Sequence, residues 1–146
     1  FAGNEHEQQL KRIAAHFDRA AYLFKHLRFN ASLFLKLAAK VPENAEPVNE
    51  FTTVSAFTNR DLSLFKTAEE AYHQLIYDLV KQQIYSLNLI LNAGVKRIFV
   101  DGGFNANSIF LEMLRIKLPG IELIPSDFPN GSALGAAMLV NMNPSA

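Results

Sequence analysis

Cysteine is absent from the 146 residues, which excludes disulfides and thiolate metal sites and suits a reducing cytoplasm. Net charge is absent too. Lys plus Arg and Asp plus Glu each number 14, so electrostatics give no case for a nucleic-acid or anionic-membrane partner. No apolar run is long enough to span a bilayer, because Asp78, Lys81 and Gln82 interrupt the most hydrophobic stretch. No secretory signal is visible. The chain opens on Phe1 rather than methionine, and we expect it to be a fragment of a longer protein.

What is present is core material. An apolar fraction of 49% and twelve phenylalanines argue against disorder. A chain of this length fits one domain and buries about two-thirds of its unfolded surface. Four histidines, His6, His16, His26 and His73, read as surface or partly buried helix residues. No carboxylate pair completes a metal site around them.

The periodicity gives most of the layout. Asn4 with Glu7 has the form of a capping box. Leu10, Ile13, Ala14, Phe17, Ala21 and Phe24 then predict an amphipathic helix to about Arg28. Asn30-Ala-Ser interrupts it and restarts a shorter helix through Leu33, Leu37 and Ala38, which Pro42 forbids from running far past Lys40. Residues 42–66 read as a connector. Its first part is polar and holds Pro42 and Pro47, and Phe51 to Phe65 fits either an edge strand or an ordered loop. Thr67 with Glu70 is a second capping box. It opens a helix whose period runs through Tyr72, Leu75, Ile76, Leu79, Val80, Ile84, Leu87, Ile90 and Leu91 to Gly94, a natural C-terminal stop. Roughly 25 residues make a rod of about 40 Å. Tyr72, Tyr77 and Tyr85 read as its packing face.

After Gly94 the pattern alternates. A β-branched and aromatic run (Val95, Ile98, Phe99, Val100) ends at Asp101, and Gly102-Gly103 follows. Ile109, Phe110, Met113, Leu114 and Leu118 then carry helical spacing. Ile121 to Ile124 is a second strand, and 131–140 is a helix rich in small residues (Ala133, Gly135, Ala136, Ala137) whose close face serves packing. Helix, strand, helix, strand, helix is the α/β signature. Two strands are too few for a free-standing sheet. A partner strand must come from further sequence, from residues 51–57 or from a second copy, so a homodimer or strand exchange is expected.

The Gly-Gly junction is the feature that bears on function. Glycine there permits positive φ and close approach to bare backbone, and a helix N-terminus just beyond offers N–H groups and a positive dipole end. A phosphate or ribose fits such a place, although spacing alone describes a tight turn equally well. The dinucleotide fingerprint Gly-x-Gly-x-x-Gly and the Gly-x-x-x-x-Gly-Lys-Ser/Thr phosphate loop are both absent.

Phe99-Val-Asp-Gly-Gly-Phe-Asn-Ala-Asn-Ser108, a helix, a strand, and Ser132-Ala-Leu-Gly-Ala-Ala-Met-Leu-Val140 together resemble the C-terminal end of FGGY-family carbohydrate kinases. That family includes the glycerol, xylulose, rhamnulose and fuculose kinases. The resemblance covers positions 95 to 141. The long helix before it is compatible, and residues 1–65 match only loosely.

The resemblance implies an α/β chain, helix-rich and with few strands, forming an incomplete actin-like ATPase domain of the ribonuclease-H-like fold. On that reading residues 1–146 are one partial domain: 1–41 helical, 42–66 connector, 67–146 the α/β part. It implies a cytoplasmic transferase in which sugar and ATP share a cleft between two lobes. Gly102 and Gly103 would lay backbone against the adenosine and α-phosphate, and Asn107 would help hold the nucleotide. Mg²⁺ would be bound mainly through ATP and the other lobe. Asp101 reads as holding the turn and Asn105 as the helix N-cap. Phe104, where the family often has a small residue, either packs on the base or fills a gap.

The family's general base lies upstream of anything present here, and Asp18, Asp61, Asp78 and Asp127 have no motif context for that role. No catalytic residue is therefore assigned, and the chain alone is expected to lack kinase activity. Two further readings are a non-catalytic actin-like regulatory or assembly module and a helix-rich interaction domain with a plain Gly-Gly turn.

Overall fold

A computed structural model describes residues 2–39 and 54–126. The expected small-residue helix at 131–140, Asp127 and the two connector prolines lie outside the described residues.

Helix α1 spans Ala2–His16. Asn4 lies within it rather than capping it, and Glu7 pairs with Lys11 one turn on, at 2.7 Å. The continuous helix expected to Arg28 is not formed. At its end Arg19 N–H bonds the Ala14 carbonyl at 2.9 Å and Asp18 N–H reaches the Ala15 carbonyl at 3.5 Å, the paired bonds of a Schellman stop. Asp18 takes φ 50°, the left-handed place that glycine normally fills. The chain then makes a 3₁₀ helix, Ala21–His26, which buries Phe24.

Helix α2, Ala31–Ala39, restarts where expected. The Asn30 side chain accepts from the N–H groups of Ser32 and Leu33 at 3.1 and 3.2 Å. Residues 54–65 form an ordered loop with two short 3₁₀ helices, Ala56–Asn59 and Leu62–Leu64, and bury Ser55, Phe57 and Leu62.

That loop is held from a distance. Arg12 of α1 donates to the carbonyls of Phe57 (3.2 Å), Thr58 (3.0 Å) and Arg60. Glu5, also buried, accepts from Ser55 N–H, Ser55 Oγ and Thr58 Oγ1 at 2.9, 2.7 and 2.9 Å. Burial alone would raise the Glu5 carboxyl, but these bonds to the charged form outweigh it and its pKa falls below the usual value.

Helix α3, Ala68–Asn88, is the spine. Thr67 caps it by accepting from Glu70 N–H at 3.1 Å, while Glu70 accepts from Lys66 N–H, one residue before the expected partner of the box. All ten residues from Ala71 to Val80 are buried, as a helix enclosed on every side requires. Helices α1, α2 and α4 pack against it. The polar members of the buried run are satisfied. His73 accepts from Asn30 N–H and bonds the Glu69 carbonyl, and Asp78 takes Arg60 through two bonds of 2.6 and 3.0 Å. The helix is shorter than expected, 21 residues and about 31 Å long. Gly94 does not end it, because its φ is not positive and its N–H is taken by the Asn92 side chain in a local turn.

Strand β1 (Arg97–Val100), helix α4 (Ser108–Lys117) and strand β2 (Glu122–Pro125) make one βαβ unit. The strands run parallel, with Arg97 opposite Glu122 and Val100 opposite Pro125. Val100 and Leu123 are buried with the apolar face of α4, and Phe99 stays two-thirds exposed at 68%. Among the described residues the sheet has two strands, and residues 54–57 do not add a third.

Candidate functional site

The βαβ unit places the Gly-Gly junction at the carboxyl end of β1, where open parallel sheets carry their ligand crevices. Gly102 has φ +79° and begins a single 3₁₀ turn, Gly102–Phe104. Asp101 holds that turn as expected, its side chain accepting from Gly102 N–H at 2.7 Å.

The two glycines are constrained differently. At Gly102 the backbone angle itself demands glycine. At Gly103 the φ is ordinary, and an added Cβ would meet nothing within 4 Å. Within the described residues nothing crowds position 103, and its main chain is exposed.

Three side chains at the end of the turn and just past it fix its shape. Asn107, not Asn105, is the N-cap of α4: its Oδ1 accepts from Phe110 N–H at 3.0 Å. Its Nδ2 donates to the Tyr72 hydroxyl at 2.9 Å, and that hydroxyl lies 3.1 Å from His6 Nε2. Asn105 instead donates to the Ser126 carbonyl at 2.7 Å, tying the turn to the end of β2. Phe104 fills a gap, with its ring on Phe110 (centroids 4.5 Å apart) and edge-on to His6 (5.2 Å).

Burial lowers the His6 pKa below its ordinary 6.5, against the charge of Glu7, and raises the Tyr72 phenol, against the Asn107 hydrogen bond. His6 and Tyr72 had no local sequence signal for this arrangement. They lie 101 and 35 positions before Asn107, and only the packing of α1 and α4 on α3 brings the three together.

The aspartates without motif context are structurally engaged. Asp18 ends α1, Asp61 accepts from Ser63 N–H, and Asp78 is bonded by Arg60 and Gln74. Among the described residues no group of three or more His, Asp or Glu side chains is assembled to hold a metal ion. An apolar cavity of about 190 Å³ lies elsewhere, between Leu23, Phe24, Leu27 and Ala68, with Arg19 and Glu69 at its wall. It is smaller than the roughly 300 Å³ at which ordinary ligand pockets begin.

Fold and site together define a helix-rich mixed α/β chain with a small parallel sheet and a glycine turn at its strand ends. The chain matches no known protein family, no curated protein and no solved structure.

Proposed function

We propose that this chain is the ATP-binding C-terminal lobe of a sugar kinase of the FGGY kind, which transfers the γ-phosphate of ATP to a sugar hydroxyl. The observation that carries the reading is Gly103: bare main chain facing open space at the carboxyl end of a parallel strand, with no reason inside the described fold to be glycine. We place the adenosine and α-phosphate against this exposed main chain, because the first turn of α4 lies just beyond it with its N–H groups and positive dipole end.

In this reading Gly102 shapes the turn and Gly103 meets the nucleotide. Asn107 serves by holding the turn, since its oxygen is bonded to Phe110 N–H and its amide nitrogen to Tyr72. When bound, ATP with Mg²⁺ supplies the phosphoryl group and its counter-charge. In this reading the ion would be held mainly by ATP and the other lobe of the kinase.

A second reading, a non-catalytic actin-like regulatory or assembly module, shares the same nucleotide turn; Asp18, Asp61 and Asp78 hold the fold in either case. Both readings expect nucleotide binding without turnover by this chain.

The test is titration of ADP into the ¹⁵N-labelled chain. Amide shifts should be confined to 101–108 and saturate with a Kd of about 1 mM, near −4 kcal/mol. Gly103→Val should weaken them at least roughly tenfold while leaving the melting temperature unchanged. A folded sample whose turn ignores ADP, or a valine variant that binds as well as the parent, removes the proposal.

A further inference from the structure

Most of the buried polar groups of this fold serve to hold one segment against another. The Glu5 and Arg12 bonds clamp the 54–61 loop, and Asp78 neutralises Arg60. The line of bonds from Phe110 through Asn107 and Tyr72 to His6 differs, because it connects the candidate nucleotide turn to α1 through the central helix.

Its polarity follows from the chemistry of each group. Phe110 N–H can only donate, so the Asn107 oxygen must face it and the Asn107 amide nitrogen must face Tyr72. The Tyr72 oxygen therefore accepts from Asn107, and in the His6 tautomer that carries its proton on Nδ1 the hydroxyl proton points to the Nε2 lone pair at 3.1 Å. One direction runs through the whole line, from a backbone donor at the head of α4 to a base on α1. Chains aligned in this way reinforce one another, and a reversed member disrupts the rest.

We propose that Tyr72 is the positioning residue of the 102–107 turn, and that His6 sets whether it holds Asn107 or lets it go. With His6 neutral, the hydroxyl is oriented to receive the Asn107 amide, and the turn keeps the shape that accepts nucleotide. With His6 protonated, Nε2 becomes a donor aimed at the same oxygen. The hydroxyl proton is then turned out of the line within a buried site, and the hold on Asn107 weakens. The groups facing His6 are Glu7 of its own helix, whose charge favours protonation, the Tyr72 hydroxyl of α3 and the uncharged Phe104 ring of the turn. The nucleotide consequence rests on the function proposed above; the coupling of His6 to the turn does not.

The experiment is native-state amide exchange on the full chain, comparing Phe110 and Leu111 with Leu75 to Val80 as an internal reference. Tyr72→Phe keeps the ring against Phe24 and removes only the hydroxyl. At pH 7.5 it should lower protection of Phe110 and Leu111 about five- to tenfold relative to the reference. An equal loss in both groups, or none, marks the hydroxyl as ordinary packing and overturns the proposal.

His6→Gln decides the matter even if the tyrosine variant does not fold. In the parent chain the relative protection of the turn should fall as the pH is lowered from 7.5 to 4.5, the loss lying below pH 6.5, after correction for intrinsic exchange. In His6→Gln it should stay at its pH 7.5 value. A parent ratio that ignores pH, or a glutamine variant that responds like the parent, overturns it. ADP should bind Tyr72→Phe about fivefold more weakly than the parent. Absence of ADP binding by the parent overturns the nucleotide half of the inference along with the function it rests on, while the exchange ratios still decide the coupling.

Discussion

Two adjacent glycines at the end of β1 separate two reasons for being glycine. Gly102 answers to its own backbone: at φ +79° a Cβ crowds the main chain whatever lies around it. Gly102→Ala should therefore lower unfolding free energy by about 1 kcal/mol, measured by urea denaturation. Gly103 has ordinary φ and open space above it, so its substitutions should be silent in the same assay and felt only by a ligand. A pair of variants one residue apart thus divides folding from binding. The glycine pair was legible in the sequence, but which member had which reason was not, because that depends on one torsion angle. The N-cap was misread for a similar cause. Asn105 and Asn107 both stand before α4, and a hydroxyl arriving from Tyr72, far away in the chain, goes with the choice of the second.

At the scale of elements, those written in local periodicity were readable: α2, α4, β1 and β2 lie within two residues of where the spacing put them, and α3 starts where expected but stops at Asn88, short of Gly94. The break after α1 was not readable, because Asp18 holds the position at which glycine would have announced a stop. Asp18→Gly should stabilise the chain by about 0.5–1 kcal/mol, the relief of left-handed strain less the entropy glycine gains when unfolded, and the denaturation midpoint checks it. The 54–65 loop was unreadable for a deeper reason. Its shape depends on Arg12 and Glu5 bonding backbone and hydroxyls some fifty positions away, and no local propensity encodes that. Glu5 and Gln9 also show that a buried helix face need not be apolar when its polar atoms find partners, across the interface for Glu5 and the Gln9 Nε2 and within α1 for the Gln9 Oε1.

Taken whole, the molecule should lose stability towards acid in two stages. His6 and His73 have their pKa values lowered below 6.5, mainly by burial, so the folded state favours them neutral and the unfolded chain binds more protons. Their contribution is complete above pH 6.5 and is lost as pH falls through the folded values. The Glu5 carboxyl is likewise lowered from 4.5, so its contribution is present above that pH and disappears further down. Urea midpoints measured from pH 8 to pH 3 should fall across the first window and fall again in the second. In the double variant His6→Gln/His73→Gln the first decline should flatten.

Helix α3 has a consequence for how the chain comes apart. Because its middle is enclosed on every side, by α1 with its clamped loop, by α2 and by α4 with the small sheet, none of these can lift away without wetting the same hydrophobic rod. Melting should accordingly be all-or-none, with calorimetric and van't Hoff enthalpies in agreement, and a protease should find no stable sub-piece to leave behind.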